Sequence, residues 1–294
     1  MRLCNGWIAS TMAVAGLLVP AAARAQSQDA PIHHDSGQSV SPAFEGWFRN
    51  PDGTFSVSFG YLNRNYTEEL DIPVGPNNRI EPGPADQGQP THFMPRRNAG
   101  VFTVVVPADF GKKELTWTIV AHGETISIPG NLRPEWRIDA LKEAANGNTP
   151  PALKFDAGGK IGQGPGGIRA EMKATSSVPL TLDVLVTDDG IRNRQGDTDD
   201  PNASARRPAL GVNWSKYRGP GPVTFAEVAP KITNGKATTT ASFQQPGDYI
   251  LRVLAWDNSG PPGAVMAGGF QCCWTNGYVK VTVSPTAATQ GRQQ

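Results

Sequence analysis

The sequence predicts an all-β protein built from two tandem antiparallel β-sandwiches. Three observations lead to this prediction: a length of 294 residues, a turn-rich composition with 33 Gly and 26 Pro, and many short segments in which apolar and polar residues alternate. A chain of this length divides into about two domains. Glycine and proline interrupt the alternating segments at the intervals expected between short strands. Long amphipathic runs are missing from the sequence, which disfavours a helical bundle.

The first 25 residues have the three-part pattern of a cleaved signal peptide. Arg2 gives a positive start, residues 7–19 are mostly apolar, and residues 23–25 (Ala-Arg-Ala) form a small-x-small cleavage site. The apolar stretch is too short to span a membrane. We therefore expect an exported bacterial protein, periplasmic or extracellular, with no membrane span and a flexible leader over residues 26–43. The formal net charge of +1 disfavours nucleic acid as a partner.

Residues 44–145 predict the first sandwich. Residues 54–61 alternate with period two, and residues 101–106 and 114–121 are rich in β-branched and aromatic side chains. Residues 76–95 are rich in Pro, Gly, Asn and Gln, which predicts a long loop. Residues 146–154 contain Asn-Gly and Pro-Pro and predict a stiff linker.

Residues 155–285 predict the second sandwich, followed by a polar tail over residues 286–294. Seven segments are strand-like, which is the number of strands in an immunoglobulin-like sandwich. They are residues 168–174, 180–187, 211–215, 223–226, 237–243, 248–257 and 278–283.

Three ordered motifs lie in this second half. Residues 182–190 contain V-x-D-D-G, residues 212–225 contain W-x-K-x-x-G-P-G, and residues 243–257 contain P-G-x-Y-x-L-x-V-x-A-x-D. Together they resemble the PKD-type immunoglobulin-like domains of secreted bacterial proteins. The resemblance implies that Trp214 is a core aromatic and that Tyr249 ties a loop to the sheet. Such domains act as spacers or contact proteins and carbohydrates.

The first half resembles a family of uncharacterised secreted bacterial proteins through residues 59–66 and 89–97. This second resemblance implies no activity. Function therefore has to be argued from individual residues.

Cys272 and Cys273 are the only cysteines left after removal of the signal peptide. In an oxidising compartment they can form a vicinal disulfide, which would stiffen a binding tip that carries Phe270 and Trp274. Two alternatives stay open: a pair of buried thiols, or bridges to another chain. A catalytic redox role is disfavoured, because the C-x-x-C spacing is missing.

A second candidate site combines His92 with Arg96 and Arg97 in the predicted long loop. Neighbouring arginines suit an anionic or sugar ligand. The alternative is a loop held by its own side chains, with the arginines paired to the acidic residues 68 and 69.

A third candidate is the acidic loop with Asp188, Asp189 and Asp199, which Asp257 would join. Carboxylates are the ligands that Ca²⁺ prefers. The spacing does not fit an EF-hand, and Arg192 and Arg194 interrupt the cluster, so a solvated loop with local ion pairs is favoured. No other cofactor is predicted.

The sequence predicts a non-enzymatic binding, adhesion or interaction module that uses loop tips of its sandwiches to contact carbohydrate or protein. G-x-S-x-G and H-E-x-x-H motifs are missing from the sequence, and no catalytic residue is predicted. Two alternatives remain. One is a secreted glycosidase-like hydrolase or its accessory subunit, since glycosidase carboxylates have no fixed spacing. The other is a structural spacer in the envelope.

Overall fold

The computed structural model describes residues 33–144, 146–191, 210–257 and 272–286. These ranges contain seventeen strands and one short 3₁₀ helix, so the predicted all-β class is confirmed. The described residues from His34 onward gather in one compact unit. No helix within the described ranges has the length and apolar character needed to cross a membrane. The predicted signal peptide and residues 26–32 of the predicted leader lie outside the described residues. The prediction that a flexible leader extends to residue 43 is wrong, because β1 already begins at Val40 and the carbonyls of His34 and Asp35 accept hydrogen bonds from the first sandwich.

The first sandwich consists of the sheets β1-β2-β6 and β4-β7-β8, with β3 and β5 paired beside them. Its strands are β1 (Val40–Arg49), β2 (Phe55–Asn63), β3 (Leu70–Asp71), β4 (Asn78–Glu81), β5 (His92–Phe93), β6 (Arg96–Val106), β7 (Leu115–Ala121) and β8 (Glu124–Gly130), and a 3₁₀ helix (Pro134–Trp136) follows. All its strand pairings are antiparallel. In its core, the ring centroids of Phe59 and Phe102 lie 5.9 Å and 5.0 Å from that of Trp117.

The segment predicted as one long loop contains β4 and β5. Buried side-chain amides, rather than an alternation of apolar and polar residues, hold this segment in a defined conformation. Asn78 donates through Nδ2 to the carbonyls of Ile72 and Pro90, and its Oδ1 accepts from the indole of Trp117. Because buried backbone carbonyls need donors, one fully buried asparagine holds three stretches of the chain together. Periodicity cannot detect such a residue.

The second sandwich packs the sheet β10-β9-β12-β15-β14 on the sheet β11-β17-β16-β13. Its strands are β9 (Ala152–Lys154), β10 (Gly162–Gln163), β11 (Ile168–Thr175), β12 (Leu180–Thr187), β13 (Leu210–Arg218), β14 (Val223–Phe225), β15 (Lys236–Phe243), β16 (Gly247–Asp257) and β17 (Trp274–Ser284). Trp214 lies in the core with 1% of its surface exposed, and the hydroxyl of Tyr249 donates to the carbonyl of Gln245. One pairing departs from the antiparallel expectation, since β11 runs parallel to β17.

Part of the predicted linker belongs to the second sandwich. Residues 152–154 form β9, which pairs with β12 and β10. The sandwiches also contact each other away from the linker. Tyr217 of β13 donates through its hydroxyl to the carbonyl of Gly88, and its own carbonyl accepts from the N–H of Thr91. We call this contact zone, between the outer face of β13, β16 and β17 and the first sandwich, the junction.

Candidate functional site

The polar centre of the junction is Gly100 of β6. Its carbonyl accepts hydrogen bonds from Arg252 Nη2 at 2.9 Å, Trp274 Nε1 at 3.0 Å and Asn276 Nδ2 at 2.9 Å. Its N–H donates to the buried carboxylate of Glu45. Gly100 has φ +58°, and a Cβ there would lie 2.5 Å from the indole of Trp274. Only glycine fits, because any side chain would collide with this ring.

Trp274 is a structural residue of the junction, and the prediction of an exposed binding aromatic is wrong. Its side chain is fully buried. It packs in a small apolar cluster with Phe48, Ile138 and Leu254. The ring faces the first sandwich because Trp274 starts β17, on the face of the sheet that the junction covers. Phe270, its predicted partner at a binding tip, lies outside the described residues.

Cys272 and Cys273 lie next to this cluster with their sulfur atoms within bonding distance of each other. Both residues are buried, with exposed fractions of 7% and 0%. Their Sγ atoms lie 4.0 Å and 3.8 Å from the carbonyl oxygen of Asn148. In this position neither sulfur can contact a ligand at the surface.

His92 also serves the junction and does not reach a ligand site. It is buried, with Nδ1 3.0 Å from a carboxylate oxygen of Asp71 and Nε2 3.3 Å from one of Glu69. The ammonium of the buried Lys216, from the second sandwich, lies 3.0 Å from the same Asp71 oxygen. Burial raises the pKa of Asp71, but hydrogen bonds from His92 and Lys216 outweigh it, so the pKa is lowered.

The two arginines that follow have separate partners. The guanidinium carbon of Arg96 lies 4.0 Å from the centroid of the Tyr66 ring, whereas Arg97 forms an ion pair with Glu45. Burial raises the pKa of Glu45 despite the opposing charge of Arg97. His92, Arg96 and Arg97 therefore do not assemble into one anion site, and the prediction that they do is wrong. The alternative is right that protein side chains hold these residues, but it is wrong about the partners, because neither arginine pairs with Glu68 or Glu69.

The predicted calcium ligands are tied to nearby donors. Asp189 accepts from the N–H and hydroxyl of Thr149, at 2.9 Å and 2.7 Å. Asp188 accepts from the N–H two residues later, and Asp257 accepts from Nδ2 of Asn148 at 2.9 Å. Asp199 lies outside the described residues. Within the described ranges, no three His, Cys, Asp or Glu side chains cluster in a way that could hold a metal ion. Calcium binding stays a prediction.

A cleft opens at the edge of the junction, where β6 faces β11, β16 and β17. It comprises two adjoining cavities of about 280 Å³ and 400 Å³ that share Arg169, Ile250 and Tyr278. We call these two cavities the junction cleft. The smaller one also borders Val105 of β6, and the larger one extends to Lys280. Binding sites are frequent in such concave regions between domains.

Arg169 is the feature of the junction cleft that points to a ligand. Its exposed guanidinium lies 5.1 Å from the centroid of the Tyr278 ring. Among the described residues it has no hydrogen-bond or ion-pair partner. The same residue also borders a third cavity of about 640 Å³ on the far side of β11. Its charge is therefore available to a ligand.

The other arginine of the cleft is already neutralised. Arg218 donates to both carboxylate oxygens of Asp86, at 2.7 Å and 2.8 Å. These bonds outweigh the effect of burial and lower the pKa of Asp86 to about 2. Arg169 forms no ion pair with a described residue, although its charge also contributes to the lowered pKa of Asp86. The two cavities are lined by three cations (Arg169, Arg218 and Lys280) and two carboxylates (Asp86 and Glu171), so the cleft has an excess of positive charge.

Of the residues singled out from the sequence, none that the structure describes borders the junction cleft. The alternation in residues 168–174 does place Arg169 on the polar face of a strand. The alternation alone does not show which part of the protein lies beside this polar face of β11. Only the pairing of β11 with β17, which sets Arg169 opposite Tyr278, brings the guanidinium to the cleft.

Comparison with known proteins identifies no family. No protein-family model matches the sequence, and no curated protein matches it. Among solved structures, the chain is similar to the titin Ig tandem domains A164-A165, with 10% sequence identity and a TM-score of 0.21. The alignment covers 85% of this chain and 100% of that one.

Proposed function

We propose that this protein is a non-enzymatic interaction module that binds a carboxylate-bearing ligand in the junction cleft. The observation that supports the proposal is the exposed guanidinium of Arg169, which packs on Tyr278 and has no hydrogen bond or ion pair to a described residue. A planar guanidinium donates two parallel hydrogen bonds to a carboxylate, a geometry that it also forms with phosphate. We choose the carboxylate because peptides and acidic sugars carry it, the two ligand classes that the sequence predicts.

The surroundings of Arg169 are suited to such a ligand. The ring of Tyr278 packs against the guanidinium of Arg169. The Tyr278 hydroxyl donates a hydrogen bond of 2.8 Å to the carbonyl of Val101, which keeps the ring in place. Ile250 supplies apolar surface between the two cavities. A site on paired strands that two packed sandwiches hold in place is already ordered before the ligand binds, which reduces the entropic cost of binding.

The lowered pKa of Asp86 in the cleft favours this proposal over the glycosidase alternative. A glycosidase needs one carboxylic acid whose pKa is raised, so that it can donate a proton to the leaving group. Asp86 has the opposite property, since its ion pair with Arg218 lowers its pKa to about 2. A structural spacer would not need Arg169, an exposed arginine in a cleft that forms no ion pair with a described residue, so the spacer alternative leaves this residue unexplained.

The proposal includes the export that residues 1–25 predict, so the ligand would be met in the periplasm or outside the cell. The likeness of the second half to PKD-type domains agrees with a contact module, and it stays a resemblance. Calcium has no part in the proposed binding, because the candidate residues Asp188, Asp189 and Asp257 do not border the junction cleft.

Binding of two carboxylate-bearing probes to the mature protein tests the proposal. One probe is a short glutamate peptide, and the other is an oligogalacturonate, so that the two arms separate peptide from sugar. We expect Arg169→Met to weaken binding of the preferred probe by about tenfold or more, since a charged hydrogen bond contributes about 1.5–3 kcal/mol. The matched control is Lys173→Met, which removes an equal charge from an exposed position on the same strand.

The control variant should bind like the wild type. Failure of both probes to bind the wild-type protein would overturn the proposal. Equal affinities of the wild type, Arg169→Met and Lys173→Met would do the same, because charge at Arg169 would then have no role.

A further inference from the structure

The far edge of β6 is an unprotected sheet edge. β6 is the last strand of the sheet β1-β2-β6, and no strand pairs with its other side within the described part of the chain. Its second half, residues 101–106, is Val-Phe-Thr-Val-Val-Val, without a charge or a proline. Edge strands normally carry charged residues or proline, which prevent pairing with other chains. The edge strand β11, by contrast, carries Arg169, Glu171 and Lys173.

The backbone of this edge points into the junction cleft. The carbonyl of Val101 faces the second sandwich, since it accepts from the hydroxyl of Tyr278 at 2.8 Å. Alternate residues of a strand direct their N–H and C=O groups to the same side.

The register across the sheet gives the direction of the residues that follow Val101. The bond from Asn50 N–H to the Thr54 carbonyl at the β1–β2 turn means that Ser56 faces β1 and Val57 faces β6. Val104 lies opposite Val57, so the backbone groups of Thr103 and Val105 face the unpaired side. Both residues line the smaller cavity, and Val105 has 61% of its surface exposed.

We infer that the ligand of the junction cleft is an extended acidic peptide that adds to β6 as a fourth strand. The inference rests on the proposed function and specifies its ligand. The peptide backbone would pair with the N–H and C=O groups of Thr103 and Val105. Alternate side chains of an added strand would face the opposite wall, where an acidic one meets Arg169 and an apolar one meets Ile250.

Charge and space favour a single peptide strand over a second copy of this protein. The smaller cavity measures about 280 Å³ and is closed on the far side by Tyr278 and Ile250. A peptide needs room for one strand beside β6, whereas a second sandwich would bring two sheets about 10 Å apart to the same edge. Pairing of two β6 edges would also bring two uncompensated Arg169 side chains together, which repel each other.

The test uses a capped, fluorescent peptide of about eight residues with the repeat Glu-Glu-Val-Val, a length typical of strands. This repeat places both glutamate and valine on each face of the strand. Its control is the same peptide with alternate backbone nitrogens methylated, which keeps the side chains and removes the donors. We expect methylation to weaken binding by about tenfold or more, because main-chain hydrogen bonds supply the affinity in strand addition.

Two variants of the protein complete the test. Val105→Pro removes one N–H at an edge position, where proline is tolerated, and Val105→Thr keeps that N–H. We expect Val105→Pro to weaken binding by about tenfold and Val105→Thr to leave it within about twofold. Hydrogen exchange of the wild-type Thr103 and Val105 amides should slow when the peptide is bound. This measurement needs no variant, so the inference stays testable even if Val105→Pro fails to fold.

The outcomes separate the inference from the proposed function. If Arg169→Met weakens binding, whereas methylation and Val105→Pro have no effect, the carboxylate site stands and strand addition is overturned. If Arg169→Met also has no effect, both are overturned. A dimer of the free protein in light scattering that Val105→Pro dissociates would show that a second copy occupies the edge, which overturns the inference.

Discussion

Replacement of Gly100 by alanine tests whether the junction is a tightly packed contact. The new Cβ would lie 2.5 Å from the indole of Trp274, and the backbone would have to keep φ +58°. The ring is held by its bond to the Gly100 carbonyl and has no room to move, because it is fully buried. The clash cannot be relieved without loss of one of these contacts.

The magnitude follows from two additive costs. A left-handed conformation costs a non-glycine residue about 1 kcal/mol, and overpacking of a close-packed site costs about 1–3 kcal/mol. We therefore expect Gly100→Ala to lower the free energy of unfolding by about 2–4 kcal/mol. For a domain pair of this size, that loss corresponds to a decrease in Tm of about 5–15 °C.

Gly111→Ala is the matched control. Gly111 has φ +62°, almost the same as Gly100, but the nearest atom to a new Cβ is a backbone oxygen at 3.7 Å. This variant should lose about 1 kcal/mol from the conformational cost alone. Urea denaturation and thermal unfolding, followed by circular dichroism and tryptophan fluorescence, measure both variants. Equal losses in the two variants would refute the packing argument, because the contact with Trp274 would then cost nothing.

Two further predictions concern charge and thiol chemistry. The pKa of Asp86 is about 2 in the folded protein and about 4 in an unfolded chain. The lowered folded value stabilises the protein above pH 4, and this contribution is lost as the pH falls from about 4 to 2. The stability difference between wild type and Arg218→Met should therefore narrow over this range in pH-dependent thermal unfolding, and a constant difference would contradict the assignment. Cys272 and Cys273 are neighbours, and residues 1–25 predict export to an oxidising compartment, so the denatured, unreduced mature protein should show no reactive thiol and the reduced protein two. Two thiols before reduction would exclude the pairing.

Much of the fold is predictable from the sequence, because strands and turns leave local patterns. The alternation in residues 54–61 predicts β2, and the run of β-branched residues 101–106 predicts the second half of β6. Trp214 follows from its place in a recognisable motif, and it lies in the core. These features depend on neighbours along the chain, and the chain determines them directly.

The order of residues 76–95 was not predictable, for a physical reason. Asn78 and Gln89 are polar and have turn-forming neighbours, which is typical of a solvated loop. In the folded protein both are fully buried. Gln89 donates to the carbonyls of Asn78 and Ala85, and Asn78 in turn accepts from the indole of Trp117 in β7. Hydrogen bonds of this kind depend on tertiary contacts, and composition does not show them.

By itself, the sequence determines that this protein is all-β, that its strands fall into two groups, and that its chemistry does not follow a known catalytic motif. The tertiary structure alone decides which polar and aromatic side chains are free to act. It buries Trp274 and His92 in the junction, although the sequence predicts that both contact a ligand. It leaves Arg169 exposed beside Tyr278 because β11 pairs with β17 in one particular register. Burial and charge compensation arise from contacts between residues far apart in the chain, and these contacts form only when the sandwiches pack together.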